Sequence, residues 1–440
     1  MKKTFPVLAI IFAIIVISSC KKPDAPYHQP NEQLEPGVAN DWYRLQYRIL
    51  LERNSTLNAV YFGYIGIGLY ESLRYGNKNT VSLSSKLYQM PAMPAKEDNR
   101  IYSWPVSANA AMAAMLRAFN TGLTTANLAS IDSLENAYNK KLKHGGDEDI
   151  FMRSQSFGQS IAAAIQTWST TDKFNASNVG YVPPVFPGAW VPTPPAYINP
   201  PINPYVSNAR PFLAANLTAV APPFPFPYSE EANSDFYKMG KEVYDVSNTL
   251  TDEQKRIALF WVDQGNGIGY TPDGHNMLVV TQALEQTKSS LAVAAEVYAK
   301  AGIAERESII VAFRTKYAYN ILRPVSYIRK VIDPGWLSFI PTPPFPEYPA
   351  NHAFITGAVL EAAAKVLGNH VTLTDHAYNF RGWAPRTYSS LFEVAEEAGI
   401  SRLYGGIHYM PSIKEGLSLA KDLGGSIGGI KLKGANEVGK

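Results

Sequence analysis

The stretch that most restricts the fold lies in the middle of the chain. Between Val182 and Tyr228 the sequence is saturated with proline, as in "VPPVFPGAWVPTPPAYINPPINPYV" and "APPFPFPYSEE". Proline removes an amide donor and locks φ, so no regular helix can run through this region. It also carries Phe186, Trp190, Tyr197, Tyr205, Phe212, Phe224 and Phe226. Disordered segments are poor in aromatics. The segment therefore reads as an ordered loop wrapped over the rest of the molecule, rather than as a linker between two independent units.

What it wraps is helical. From Ala39 to about Ser169, apolar residues recur at three- and four-residue steps, as in "NDWYRLQYRILLE" and "ANAAMAAMLRAFNTGL". Thr124 or Thr125 stands ready to cap "TTANLASIDSLENAYNKKL". The pattern resumes near Ser234 and continues through "TDEQKRIALFWVD", with Thr251 as cap and Glu253 in the first turn. No alternating strand pattern competes with it. The expected fold class is all-α, one helical domain in two halves: 39–230, including the proline-rich 182–228, and 231–432.

The first residues belong to neither half. "MKKTFPVLAIIFAIIVISSC" has a basic start, a short apolar run and small residues before Cys20, the pattern of a cleaved export signal at 1–19. Ile17-Ser18-Ser19-Cys20 resembles the lipobox of bacterial lipoproteins, in which the cysteine is acylated. The alternative is an uncleaved membrane anchor with an incidental cysteine. Residues 20–38 then form a polar, proline-bearing tether, so the globular part is expected outside the cytoplasm, on a membrane through Cys20. Cys20 is the only cysteine, so no intramolecular disulfide can form. A net charge of +3 over 440 residues predicts no nucleic-acid partner.

Three short segments hold the chemistry. In "KYAYNILRP", Lys316 and Arg323 are seven residues apart, about two helical turns or ~10 Å along one face, with Pro324 ending the helix. Alone, they read as two snorkelling surface charges. In "SRLYGGIHYM", Gly405-Gly406 can turn the chain so that Arg402 and His408 reach one point; the bland reading is a helix end and a loop histidine. In "PEYPANHAFITG", Asn351 is a good N-cap, and the free amides at that helix start suit a tetrahedral oxyanion. Three cations converging in a chain with only 18% charged residues are costly unless an anion neutralises them.

Lys316, six residues, Arg323-Pro324; then Pro349-Ala350-Asn351-His352; then Ser401-Arg402, five residues, His408: in this order the three segments resemble the signature shared by vanadium-dependent haloperoxidases and type 2 phosphatidic-acid phosphatases. "IPTPPFPEYPANHA" and "IALFWVDQGNGIGYTPDGHNMLVV" look like further haloperoxidase segments. The match covers about Thr251 to Lys421.

The resemblance implies a helical-bundle fold of the haloperoxidase/acid-phosphatase type, holding vanadate, with phosphate able to occupy the same place. By position, Lys316, Arg323, Arg402 and the Ala350-Asn351 element would hold the oxygens. His408 would bind the vanadium and His352 would be the general acid–base. The implied activity is oxidation of halide by hydrogen peroxide. The runner-up is a phosphatase with His408 as the phosphorylated nucleophile on a phosphoester, since vanadate mimics the phosphoryl-transfer state. A third reading is an oxyanion-binding lipoprotein without turnover.

Several positions depart from the family pattern. Ala350-Asn351 replaces the usual Ser-Gly, so a side-chain hydroxyl is lost while a backbone amide remains. Ser412 stands where an Asp usually orients the ligand histidine, and Glu415 is one substitute partner. Phe345 occupies a position linked with halide preference. His275 lies in the matching upstream segment and is a candidate to touch substrate. Asp263 and Gln264 could bond Lys316 or line the pocket, or simply end a helix. His28, His144, His370 and His376 read as surface residues.

Overall fold

The computed structural model describes residues 30–52, 59–120, 122–143, 147–174, 177–263 and 269–433. The leader, Cys20, most of the tether, His28, His144 and Gln264 lie outside these residues. Thirteen α-helices are present among the described residues: α1 (Gly37–Leu51), α2 (Ala59–Leu73), α3 (Trp104–Phe119), α4 (Thr125–Lys143), α5 (Glu148–Ser169), α6 (Asp235–Asn248), α7 (Asp252–Phe260), α8 (Pro272–Gln286), α9 (Leu291–Tyr319), α10 (Pro324–Val331), α11 (Gly357–Leu367), α12 (Leu391–Tyr404) and α13 (Met410–Gly428). The only paired strands among them are β1 (Leu373–Asp375) and β2 (Arg386–Tyr388), antiparallel and three residues each. The all-α expectation holds. This short ribbon carries too few residues to show an alternating pattern.

Helix α9 is the axis of the fold. Its 29 residues make a rod of roughly 44 Å, buried along most of its length. Ser290 caps its start by accepting from the Val293 amide. Helix α2 lies against it at backbone distance: a Cβ on Gly302 would stand 2.4 Å from the Phe62 carbonyl oxygen. One apolar core runs from Val38 to Leu432, drawing on both halves of the chain. Helices α11 and α13 pack along α9, and the three segments that carry the cations and histidines meet at its C-terminal end.

Lys316 and Arg323 do not share one helix. Helix α9 stops at Tyr319, where Asn320 takes the left-handed conformation at φ 49° and returns its amide to the Lys316 carbonyl. Asn tolerates this region better than other side chains that carry a Cβ. Pro324 then opens α10 at its first position rather than ending a helix, a place where its missing amide costs nothing. Ile321, Leu322 and Arg323 form the extended link between the two.

The proline-rich segment braces that link. The Trp190 amide donates to the Asn320 carbonyl at 2.7 Å, and the Leu322 amide donates to the Gly188 carbonyl at 3.0 Å. Further on, the Ile202 amide donates to the Pro344 carbonyl at 3.1 Å. Trp190, Val206 and Phe212 are buried. As expected from its aromatics, this is an ordered loop packed on the helical body.

Candidate active site

Four cationic or imidazole side chains come together at the end of α9, all of them buried. Lys316 directs its ammonium at three carbonyl oxygens of the segment that carries His352: Pro346 at 3.2 Å, Glu347 at 2.8 Å and Pro349 at 2.6 Å. Burial, with help from Arg323, holds its pKa well below the ordinary lysine value. Neither Lys316 nor Arg323 snorkels, which corrects the bland reading of the pair.

Arg323 bridges the three segments. Its Nε donates to the Phe345 carbonyl at 2.8 Å, and Nη1 donates to the Ile407 carbonyl at 2.9 Å and to Nε2 of His408 at 3.0 Å. Its Nη2 is buried with no hydrogen-bond partner. The Phe345 ring lies under both cations, 5.3 Å from Lys316 Nζ and 4.9 Å from Arg323 Cζ. Arg402, in the last turn of α12, donates from Nε to Ser401 Oγ at 2.9 Å and from Nη2 to the Trp261 carbonyl. Burial pushes each guanidinium down to about 10, and both remain charged at neutral pH.

His408 reaches the same point because the chain turns at Gly405-Gly406, with Gly406 at φ +75°. Its Nδ1 is 2.7 Å from Oε1 of Glu347, which also accepts the Tyr409 amide at 3.1 Å. Arg323 is a donor only, so Nε2 of His408 accepts and Nδ1 carries the hydrogen. The ring is neutral: burial, then Arg323, Lys316 and Arg402, hold its pKa well below the ordinary histidine value. Burial pushes the Glu347 carboxyl up to about 7 against the pull of Arg323 and Lys316. The orienting carboxylate expected at the Ser412 position is thus supplied by Glu347, and Glu415 is not the partner. Ser412 is fully buried beside Glu347, and a short side chain there leaves room for it.

The start of the next helix differs from expectation. Asn351 is itself in the right-handed helical conformation and makes no capping bond; its Oδ1 is buried without a partner. The first turn, His352–Thr356, is a π-helix. The Ala350 amide donates to the Ser412 carbonyl at 3.2 Å, so it is not a free donor. The next three amides open a helical segment and have no intrahelical acceptor, the Phe354 amide being the first to return to a carbonyl, that of Ala350 at 3.1 Å.

His352 is bonded from behind. Its Nε2 is 3.0 Å from Oδ2 of Asp263, and Nδ1 has no partner among the described residues. Burial and then Arg402 press its pKa down to about 4, against Asp263, so the ring is neutral at physiological pH. Asp263 therefore serves His352 and not Lys316. His275 does not touch substrate either: it is fully buried between Asp263 and Asp375. His370 and His376 are exposed, as expected.

Glu347 is the residue that sequence reasoning passed over. The signal was present, because it is the only charged side chain between Gly335 and Asn351. A lone acid in such a run, placed between two cation-bearing segments, points to a buried ion pair.

The donor set fits an oxyanion. Lys316, Arg323 and Arg402 bring three buried positive charges, one guanidinium nitrogen lacks a partner, and two neutral imidazoles flank them. Among the described residues, no group of three or more His, Cys, Asp or Glu is placed to hold a bare metal cation.

A family model described as the VCPO second helical-bundle domain matches residues 296–430. The solved structure of a bacterial vanadium-dependent iodoperoxidase is similar over 90% of this chain and 96% of its own, with TM-score 0.79 and 30% identity. At that identity over nine-tenths of its length, the chain belongs to the vanadium-dependent haloperoxidases. A bacterial vanadium-dependent chloroperoxidase, in holo and apo forms, shares the fold at TM-score 0.62 and 15% identity, over 86% of this chain and 92% and 93% of those. No curated protein matches the chain.

Proposed function

We propose that this protein is a vanadate-dependent haloperoxidase that uses hydrogen peroxide to oxidise halide. The observation that carries the reading is the unpartnered Nη2 of Arg323, buried beside a neutral His408 whose Nε2 holds a lone pair. Arg323 and Arg402 would bind the oxygens of vanadate, with one Lys316 proton released from its longest carbonyl contact, that to Pro346. His408 Nε2, which accepts from Arg323 Nη1 in the free protein, would exchange that hydrogen bond for the vanadium, with its tautomer held by Glu347. When bound, vanadate supplies Lewis-acid activation of hydrogen peroxide without changing its own oxidation state.

Halide, hydrogen peroxide and one proton give hypohalous acid and water, so the pocket must move a proton. His352 does this at Nδ1, because Nε2–H is tied to Asp263. A neutral imidazole there takes a proton from incoming peroxide and returns it to the departing oxygen, which leaves as water; the proton consumed overall comes from solvent and converts hypohalite to hypohalous acid. Iodide is the halide to test first, since the relative at 30% identity is an iodoperoxidase. The lipobox-like Ile17–Cys20 supports a periplasmic or outer-membrane lipoprotein, tethered through Cys20.

The test uses purified protein, stripped of oxyanion and then loaded with vanadate, assayed with peroxide and iodide or bromide and separately with a phosphomonoester. Vanadate-dependent halide oxidation that His408→Ala abolishes supports the reading. Phosphoester hydrolysis inhibited by vanadate replaces it with the phosphatase chemistry. Oxyanion binding without either turnover leaves a binding protein.

A further inference from the structure

Behind His352 stands a second histidine that the reaction does not touch. His275 is wholly buried at the start of α8, with Nδ1 2.8 Å from Oδ1 of Asp263 and Nε2 2.8 Å from Oδ2 of Asp375. Asp375 takes further hydrogen bonds on Oδ1, from Gln282 Nε2 at 2.9 Å and the Ala377 amide at 2.8 Å. Carboxylates only accept, so both nitrogens of His275 carry hydrogen and the ring is an imidazolium. Burial alone would lower its basicity, but the two carboxylates outweigh it and raise the pKa to about 10. The Trp261 indole stacks on this cation at 4.5 Å and 21°.

Asp263 is the hinge of the arrangement. Oδ1 accepts from His275 and from the Tyr378 hydroxyl at 2.8 Å, while Oδ2 meets His352 Nε2 at 3.0 Å. Its backbone is left-handed at φ 47°, a region that a non-glycine residue keeps only when its surroundings over-determine it. The groups fixing Asp263 in that pose are the ones just named.

We propose that His275 is a positioning residue: clamped between Asp263 and Asp375, it holds the Asp263 carboxylate against Nε2 of His352 and so fixes which nitrogen of His352 exchanges protons. The inference rests on the haloperoxidase reading only in taking His352 as the proton-transferring group. The charged and titratable groups facing His352 are Arg402, Asp263, His275 and His408. Those facing His275 are Asp263 and Asp375, with the Tyr270 and Tyr378 rings beside it. The imidazolium balances Asp263, which can then accept from His352 without drawing a second proton onto it. Without that cation an uncompensated carboxylate lies against His352 and protonates it at a higher pH.

The test is ¹⁵N NMR of histidine-labelled, vanadate-free full-length protein between about pH 3.5 and 9, a range that spans the lowered titration of His352 as well as that of an ordinary histidine. In the wild type, His275 shows two protonated ring nitrogens throughout, and His352 shows the neutral Nε2–H tautomer. In His275→Gln the His352 titration moves up by about one unit or more. The acid limb of kcat/KM for halide oxidation by the vanadate-loaded variant moves the same way. Asp375→Asn leaves His275 in place and carries the test if His275→Gln does not fold; there His275 itself begins to titrate within the range, and His352 follows. A His352 tautomer and titration unmoved in the folded variants overturns the proposal. Wild-type protein with these ring states but no vanadate binding overturns the haloperoxidase reading and leaves this one standing.

Discussion

Nδ1 of His408 lies 2.7 Å from Oε1 of Glu347, two residues separated by sixty-one positions in the chain and both buried. The contact joins the segment after α12 to the proline-bounded segment before His352. It places the orienting carboxylate on the loop before His352, not at the Ser412 position four residues after His408.

Glu347→Gln should therefore weaken vanadate binding by about ten- to a hundred-fold, the usual cost of losing the group that orients a ligand histidine. Equilibrium dialysis with vanadate measures it. Adding Ser412→Asp to that variant should restore part of the affinity, since the new carboxylate arises four residues after His408. No recovery in the double variant would show that Glu347 matters for more than His408.

Arg402→Ala should reduce halide oxidation by a hundred-fold or more, on the order of 3 kcal/mol of lost charge-assisted contact. The vanadate-free protein should not lose stability to match. Removing one of several uncompensated buried cations relieves a desolvation penalty. Thermal unfolding without oxyanion, set beside activity with it, separates the two effects.

Ala350→Ser returns a hydroxyl to the start of the His352 segment. One added neutral hydrogen bond is worth about 1 kcal/mol, so vanadate should bind roughly five-fold more tightly. Titration of the vanadate-stripped variant beside the wild type measures it, and weaker binding by the variant would mean that the hydroxyl does not face the anion.

Stability should fall as pH rises above neutrality. The folded pKa of His275 is about 10, above its value of 6.5 in an unfolded chain. Its contribution is complete below the unfolded value and disappears as pH climbs from there toward 10. His352 acts with the opposite sign at lower pH: a folded pKa of about 4 means stability is lost as pH falls from 6.5 toward 4. Urea midpoints across both windows test this: His275→Gln should flatten the alkaline limb and, by moving His352 upward, shrink the acid one.

The helical scaffold was legible because periodicity and caps are local: Thr251 caps α7 through a capping box with Gln254, and Thr124 accepts from the Asn127 amide ahead of α4. The cations were legible because charge is rare in this chain. What could not be read locally was how those pieces meet. A left-handed Asn320 leaves no mark in apolar spacing, so Lys316 and Arg323 looked like neighbours on one helix. Glu347 and Asp375 act on histidines sixty-one and one hundred positions away, and no spacing rule connects such pairs. Asn351 looked like a cap because Asn favours that role, yet its backbone is helical and the π-helical turn follows directly.

The brace at Gly188 to Trp190 gives the proline-rich segment a say in the chemistry. It splints the only extended link between two buried cations, so the reach from Lys316 to Arg323 is set partly by a loop more than a hundred residues upstream. Retuning the pocket for a larger or smaller oxyanion would not require touching its charges. Changes at the splint would shift their separation while leaving every ligand in place.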